Sequence, residues 1–152
     1  MTSRPVDGVL RRVCSGCERV HYVDPKISVG VAVFHDDQLL LVRRRMNPGQ
    51  GRWTVPGGYV DIGQDPRAEA AREVAEETGV EVDVGDVIDV FLNPPEEGST
   101  VFLLFQGRWV RGEPVAGDDA DEAAFVGRDD LPPLAFASTL AAVARWPAPG
   151  GE

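Results

Sequence analysis

Three stretches predict an α/β fold. Residues 27–34, ISVGVAVF, are β-branched and almost wholly apolar, as in a buried strand. Residues 66–78, PRAEAAREVAEET, contain good helix formers with no interior glycine and no proline beyond the first position. Residues 100–110, TVFLLFQGRWV, again read as a strand. At 152 residues the chain is expected to form one domain with a sizeable core, and its 43% hydrophobic content is ordinary for a globular protein.

Along the chain, residues 1–26 are a short N-terminal segment holding both cysteines, in Cys14-Ser-Gly-Cys17. This is half of a zinc ribbon, and His21 offers a third ligand, whereas structural zinc wants four. Free thiols, a redox pair and a site completed by another group all stay open, with free thiols or a degenerate ribbon fitting the ligand count best. After the strand at 27–34, His35 to Gln38 is a turn and Gln38 to Arg45 a second strand. It ends in three arginines; alternation sends Arg43 and Arg45 one way and Arg44 the other. A solvated strand end and a phosphate clamp both fit, since guanidinium binds phosphate in a bidentate way. Residues 46–56 form a Pro/Gly loop in which Trp53 reads as packing.

Helix ends are the sharpest local signal. Asp65 can cap through its side chain, Pro66 suits the first helical position, and Gly79 suits the left-handed residue past the end. At roughly 100° per residue, Glu69, Glu73, Glu76 and Glu77 share one face, and Ala70, Ala71, Val74, Ala75 and Thr78 the other. Carboxylates at such spacings repel each other. They fit either a solvated acidic face paired with Arg72 or a site for a hard divalent cation. The preceding Pro56-Gly57-Gly58 favours the cation, because glycines let backbone approach a metal or a phosphate closely.

Beyond the helix, Glu81 to Leu92 reads as a strand broken at Gly85 and expected to pair with 100–110 as a hairpin. The loop at 93–99 is either polar surface or a substrate lid. A Gly/Pro/Asp loop at 111–121 leads into a short strand, Ala-Ala-Phe-Val, just after Glu122. The last helix is expected at about 133–145, with Leu134, Leu140 and Val143 inward, and residues 147–152 as a disordered tail.

Residues 57–80, GGYVDIGQDPRAEAAREVAEETGV, resemble the Nudix box, Gly-x5-Glu-x7-Arg-Glu-U-x-Glu-Glu-x-Gly-U, where U is bulky and aliphatic. Gly58, Arg72, Glu73, Val74, Glu76, Glu77, Gly79 and Val80 match in register. Gln64 stands where the box has its first glutamate, which in the family pairs with the arginine. Glutamine keeps hydrogen-bonding capacity and loses the charge. The resemblance covers residues 27–146 and implies an α/β/α sandwich, a mixed sheet between helices. It implies a Mg²⁺- or Mn²⁺-dependent hydrolase of nucleoside diphosphates linked to another group. Glu73, Glu76 and Glu77 would be metal ligands, with a Gly57 or Gly58 carbonyl in support and Arg72 orienting the carboxylates.

The resemblance extends to four further readings. Relatives carry a cysteine-rich segment before a stretch like Tyr22-Val-Asp-Pro-Lys26, although their upstream cysteine pair is absent here. A basic residue near Arg44 often meets substrate. A glutamate placed like Glu122 supports metal binding or general-base work. Leu-Ala-Phe-Ala-Ser resembles a stretch of FAD- and ADP-ribose-cleaving relatives, which makes Phe136 a candidate base contact beside its plainer reading as core. The expected substrate is ADP-ribose, FAD or NADH-like, cleaved by a metal-activated water. Sanitation of an oxidised nucleoside triphosphate and a non-catalytic ligand sensor are the alternatives.

The formal charge of −10 argues against a general nucleic-acid or membrane surface, and no apolar run is long enough to span a bilayer. A cytoplasmic protein with a small nucleotide substrate is expected, and a homodimer is admitted.

Overall fold

The computed structural model describes residues 1–93 and 99–149. In chain order the elements are β1 (Thr2–Val6), β2 (Val9–Val13), β3 (Val20–His21), β4 (Lys26–His35), β5 (Gln38–Arg44), β6 (Trp53–Thr54), β7 (Gly57–Val60), α1 (Pro66–Thr78), β8 (Glu81–Leu92), β9 (Thr100–Arg111), β10 (Ala120–Gly127) and α2 (Ala137–Ala144). Among the described residues the strands form two sheets. The small one has order β1-β2-β3; the large one has order β10-β5-β4-β9-β8, with β6 against β5 and β7 against β4.

The large sheet is mixed. β4 runs parallel to β9 and antiparallel to β5 and β7. β8 and β9 pair antiparallel, with register shifts between Val84 and Val87 where a break at Gly85 was expected. The strand continues through the irregularity because a bulge bends a ladder without ending it. The β4–β5 turn holds Asp36 and Asp37 at φ 50° and 56°, the pair of positive angles that a tight hairpin turn requires.

Both sheet faces are buried, and strand alternation sorts the core. Val29, Val31, Val33 and Leu40 join Ala70 and Val74 of α1 in one cluster. Ala32, Leu39 and Leu41 join Val55, Leu104 and Ala142 of α2 in the other. A near-continuous apolar strand is what a sheet covered on both faces demands. The result is helix, mixed sheet, helix.

Two details of the helices differ from expectation. α2 begins at Ala137, and Leu140 is 60% exposed while Leu134 and Val143 pack on the core. An eight-residue helix buries only a narrow stripe, here Ser138, Thr139 and Ala142, with the Thr139 hydroxyl 2.9 Å from that of Thr54. On α1 the buried residues are Glu69, Ala70, Val74 and Thr78, while Ala75 is exposed. The expected lid falls largely on residues 94–98, and part of the expected tail on 150–152; both lie outside the described residues.

Candidate active site

The site begins with a close backbone approach. β7 pairs with β4 through Gly57 opposite Gly30, and a Cβ on Gly57 would fall 2.0 Å from the Val29 carbonyl oxygen. Only glycine permits that contact, and it holds the Gly57-Gly58 backbone beneath α1. A Cβ on Gly58 would sit 2.5 Å from the carboxyl carbon of Glu73, so the missing side chain leaves the space that Glu73 occupies.

α1 carries the carboxylates, and both of its ends are fixed by local chemistry. The Asp65 side chain accepts from the amides of Arg67 and Ala68, and Gly79 closes the helix at φ 71°. At the C-terminal end the Val115 amide donates to Thr78 O at 2.8 Å and the Gly117 amide to Glu77 O at 2.9 Å. These bonds satisfy helix carbonyls that would otherwise lack partners. They also strap the 115–119 loop onto the helix, with Asp118 and Asp119 close enough for their charges to act on Glu73 and Glu77 respectively.

Arg72 sits among the acids. Its Nη1 donates to Glu76 at 2.5 Å, its Nη2 to Glu69 at 2.5 Å, and a longer bond of 3.4 Å reaches Glu73. Glu77 points elsewhere and accepts the Gly57 amide at 3.1 Å. Gln64 accepts the Asp61 amide at 3.1 Å, within the turn before the helix.

Of the remaining candidates, Arg44 donates from Nε to the Pro48 carbonyl at 2.5 Å and lies 5.0 Å over the Phe136 ring. Its charge acts on Glu77, and Phe136 is placed next to Arg44. Glu122 is exposed and ion-paired with Arg43 at 2.9 Å across the β5–β10 ladder. Glu73, Asp119 and Arg44 lie close enough for their charges to act on Glu77. The sequence places Glu69 on the acidic face without giving it a role of its own, and it does not single out the two loop aspartates. Glu69 had a readable signal, an acid three residues before Arg72; the aspartates had none.

A model of the NUDIX domain matches residues 24–147. The chain belongs to the Nudix family. It is 35% identical over 117 residues to an ADP-ribose pyrophosphatase of Methanocaldococcus jannaschii, covering 76% of this chain and 69% of that protein. It is 33% identical over 133 residues to the NAD-capped RNA hydrolase NudC of Vibrio vulnificus, covering 84% of this chain and 48% of that one, so it spans about half of this relative. The crystal structure of a NUDIX hydrolase from Nitrosomonas europaea superposes with a TM-score of 0.85 at 27% identity, over 95% of this chain and 84% of its own.

Nudix hydrolases generally need a divalent metal, and the donor set of this member fits a hard one. Carboxylates and backbone carbonyls are oxygen ligands, which suit Mg²⁺ and Mn²⁺. The gap at Gly58 lets the Glu73 carboxylate lie against the backbone there. As they stand, no three acidic, histidine or cysteine side chains among the described residues converge on one point. Arg72 instead supplies the positive charge between Glu69, Glu73 and Glu76.

Burial sets the protonation of this face. The Glu77 carboxyl is pushed up from 4.5 to about 7, chiefly by burial, against the Gly57 amide that favours the anion. Glu73 is also raised by burial, while Glu69 is lowered by its hydrogen bonds to Arg72. A raised carboxyl pKa means that the fold binds this proton more tightly than the unfolded chain does. Its contribution is therefore full below about pH 4.5 and lost as pH rises toward 7, by up to about 3 kcal/mol. Glu69 works the opposite way, and its contribution is lost only as pH falls below the ordinary carboxylate range. Thermal melts in EDTA should thus show a smaller drop between pH 5 and 7.5 for Glu77→Gln than for wild type. Equal drops would show that Glu77 titrates normally.

The cysteines stand apart from this site. Cys14 and Cys17 line a cavity of about 210 Å³ with Met1, Arg19, Val20 and His21, on the small sheet. Amide hydrogen bonds from Cys17 and Gly16 pull the Cys14 thiol pKa down. With two thiols and one imidazole, a tetrahedral zinc shell is one ligand short. Metal analysis of purified, untagged protein should find no zinc held tightly by a single chain. One zinc per chain would overturn this and require a ligand from a second group or subunit.

Proposed function

We propose that this Nudix hydrolase cleaves the diphosphate linkage of an ADP-linked compound such as ADP-ribose, FAD or an NADH-like dinucleotide. The observation that carries the reading is the carboxylate face of α1 opposite a glycine-bounded backbone, with Arg44, seated over the Phe136 ring, close enough for its charge to act on Glu77. The similarity to a protein named ADP-ribose pyrophosphatase supports the choice of substrate.

In this reading Glu73, Glu76 and Glu77 hold Mg²⁺ or Mn²⁺, helped by a Gly57 or Gly58 carbonyl. A bound divalent cation supplies Lewis acidity, lowering the pKa of water and neutralising phosphate charge. Arg44 binds a phosphate oxygen, and the Phe136 ring borders the nucleoside end. Glu122 takes the proton of the attacking water, after release from Arg43. Water adds to one phosphorus, and the bridging oxygen leaves with the nucleotide or with the other phosphorylated moiety.

Incubating the protein and Mg²⁺ with a panel of nucleoside diphosphate derivatives and oxidised nucleoside triphosphates, with product identification, tests this. AMP with a phosphorylated partner is the expected product. Release of pyrophosphate from the oxidised triphosphates alone would replace the reading with nucleotide sanitation, and binding without turnover would make the chain a sensor.

A further inference from the structure

We propose that Glu69 is a positioning residue that anchors Arg72, so that Glu73 and Glu76 are free to bind a cation. This rests on reading the carboxylate face of α1 as a cation site. Arg72 touches three acids of its own helix. Its Nε lies 3.2 Å from both oxygens of Glu69 and its Nη2 2.5 Å from one of them. That is a forked, charge-assisted grip, the strongest kind of hydrogen bonding available to a guanidinium. The bond to Glu76 uses one nitrogen, and the bond to Glu73 is long.

Burial separates the three acids. The Glu69 side chain is 7% exposed, against 17% for Glu73 and 40% for Glu76. A carboxylate kept from water needs a permanent partner, because a buried charge left alone is costly. Glu76 can exchange its partner for water or an ion at much lower cost. Gln64 offers no alternative anchor, since it is neutral and its side-chain oxygen accepts the Asp61 amide. Arg72 and the cation compete for the same oxygens of Glu73 and Glu76. Glu69 decides that competition by retaining the guanidinium when the other two acids turn to the ion.

The test is Mn²⁺ binding without substrate, followed by the electron paramagnetic resonance of the free ion, for wild type, Glu69→Gln, Glu69→Asp, Arg72→Gln and the double variant Glu69→Gln/Arg72→Gln. Glu69→Gln should bind Mn²⁺ roughly tenfold more weakly, because an unanchored Arg72 holds Glu73 and Glu76 more firmly. Glu69→Asp should recover part of the loss. In the Arg72→Gln background the Glu69→Gln change should have no further effect. Unchanged binding by Glu69→Gln, or equal losses in both backgrounds, would overturn the inference while leaving the cation site standing. Wild type that binds no Mn²⁺ would overturn both. If Glu69→Gln does not fold, the wild-type Arg72 Nε–H decides, observed by NMR with and without Mg²⁺. Slow solvent exchange should persist when Mg²⁺ is saturating, and loss of protection on adding Mg²⁺ would refute the anchor.

Discussion

Chelating the divalent cation is expected to lower hydrolysis by roughly a thousandfold or more, because the ion supplies several kcal/mol of transition-state stabilisation. The structure gives the effect a physical basis. Glu73 and Glu77 are pressed upward in pKa by burial and by neighbouring acids, and one guanidinium is shared among Glu69, Glu73 and Glu76. A cation relieves that repulsion, so Mg²⁺ should also raise the melting temperature. Glu73→Gln and Glu76→Gln should shift the Mg²⁺ concentration required for half-maximal rate upward. Hydrolysis that continues unchanged in excess EDTA would end the metal-dependent reading.

Glu122→Gln should lower kcat by roughly a hundredfold while KM and Mn²⁺ affinity stay near wild type. Carboxylates that bind a cation are poor bases, because the ion stabilises their ionised form. Among the described residues Glu122 is ion-paired with Arg43, and both ends of that pair are more than a third exposed. Such a bridge is worth about 0–1 kcal/mol and gives way easily. Asp118→Asn and Asp119→Asn belong in the same experiment, since the 115–119 loop holds these acids near Glu73 and Glu77. If Glu122→Gln keeps near-full kcat at saturating metal and Asp119→Asn loses it, the proton goes to the loop strapped on α1, and Glu122 is a surface partner of Arg43.

Several features were readable without coordinates because their causes are local. The α1 helix runs from Pro66 to Thr78 with Asp65 and Gly79 as caps, as the residues themselves require. β4 and β9 follow from apolar runs whose alternate residues meet different helices. The shared face of Glu73, Glu76 and Glu77 needed only the helical period. β1 and β2 carry no such signal, because they are mostly exposed and lack apolar alternation.

What the sequence alone determined about this protein is therefore its layered core, its central helix and the acids on it. Which of the acids around Arg72 is buried, and which acids surround Glu73 and Glu77, was decided by the tertiary structure. The Glu122–Arg43 pair depends on the β5–β10 register and the bulge between Ala120 and Glu122. The approach of Asp118 and Asp119 depends on a loop tied to α1 by backbone hydrogen bonds that most residues could make. Helix caps and periods are written in neighbouring side chains. Register and loop docking are set by backbone groups far apart in the chain, and no short stretch of sequence encodes them.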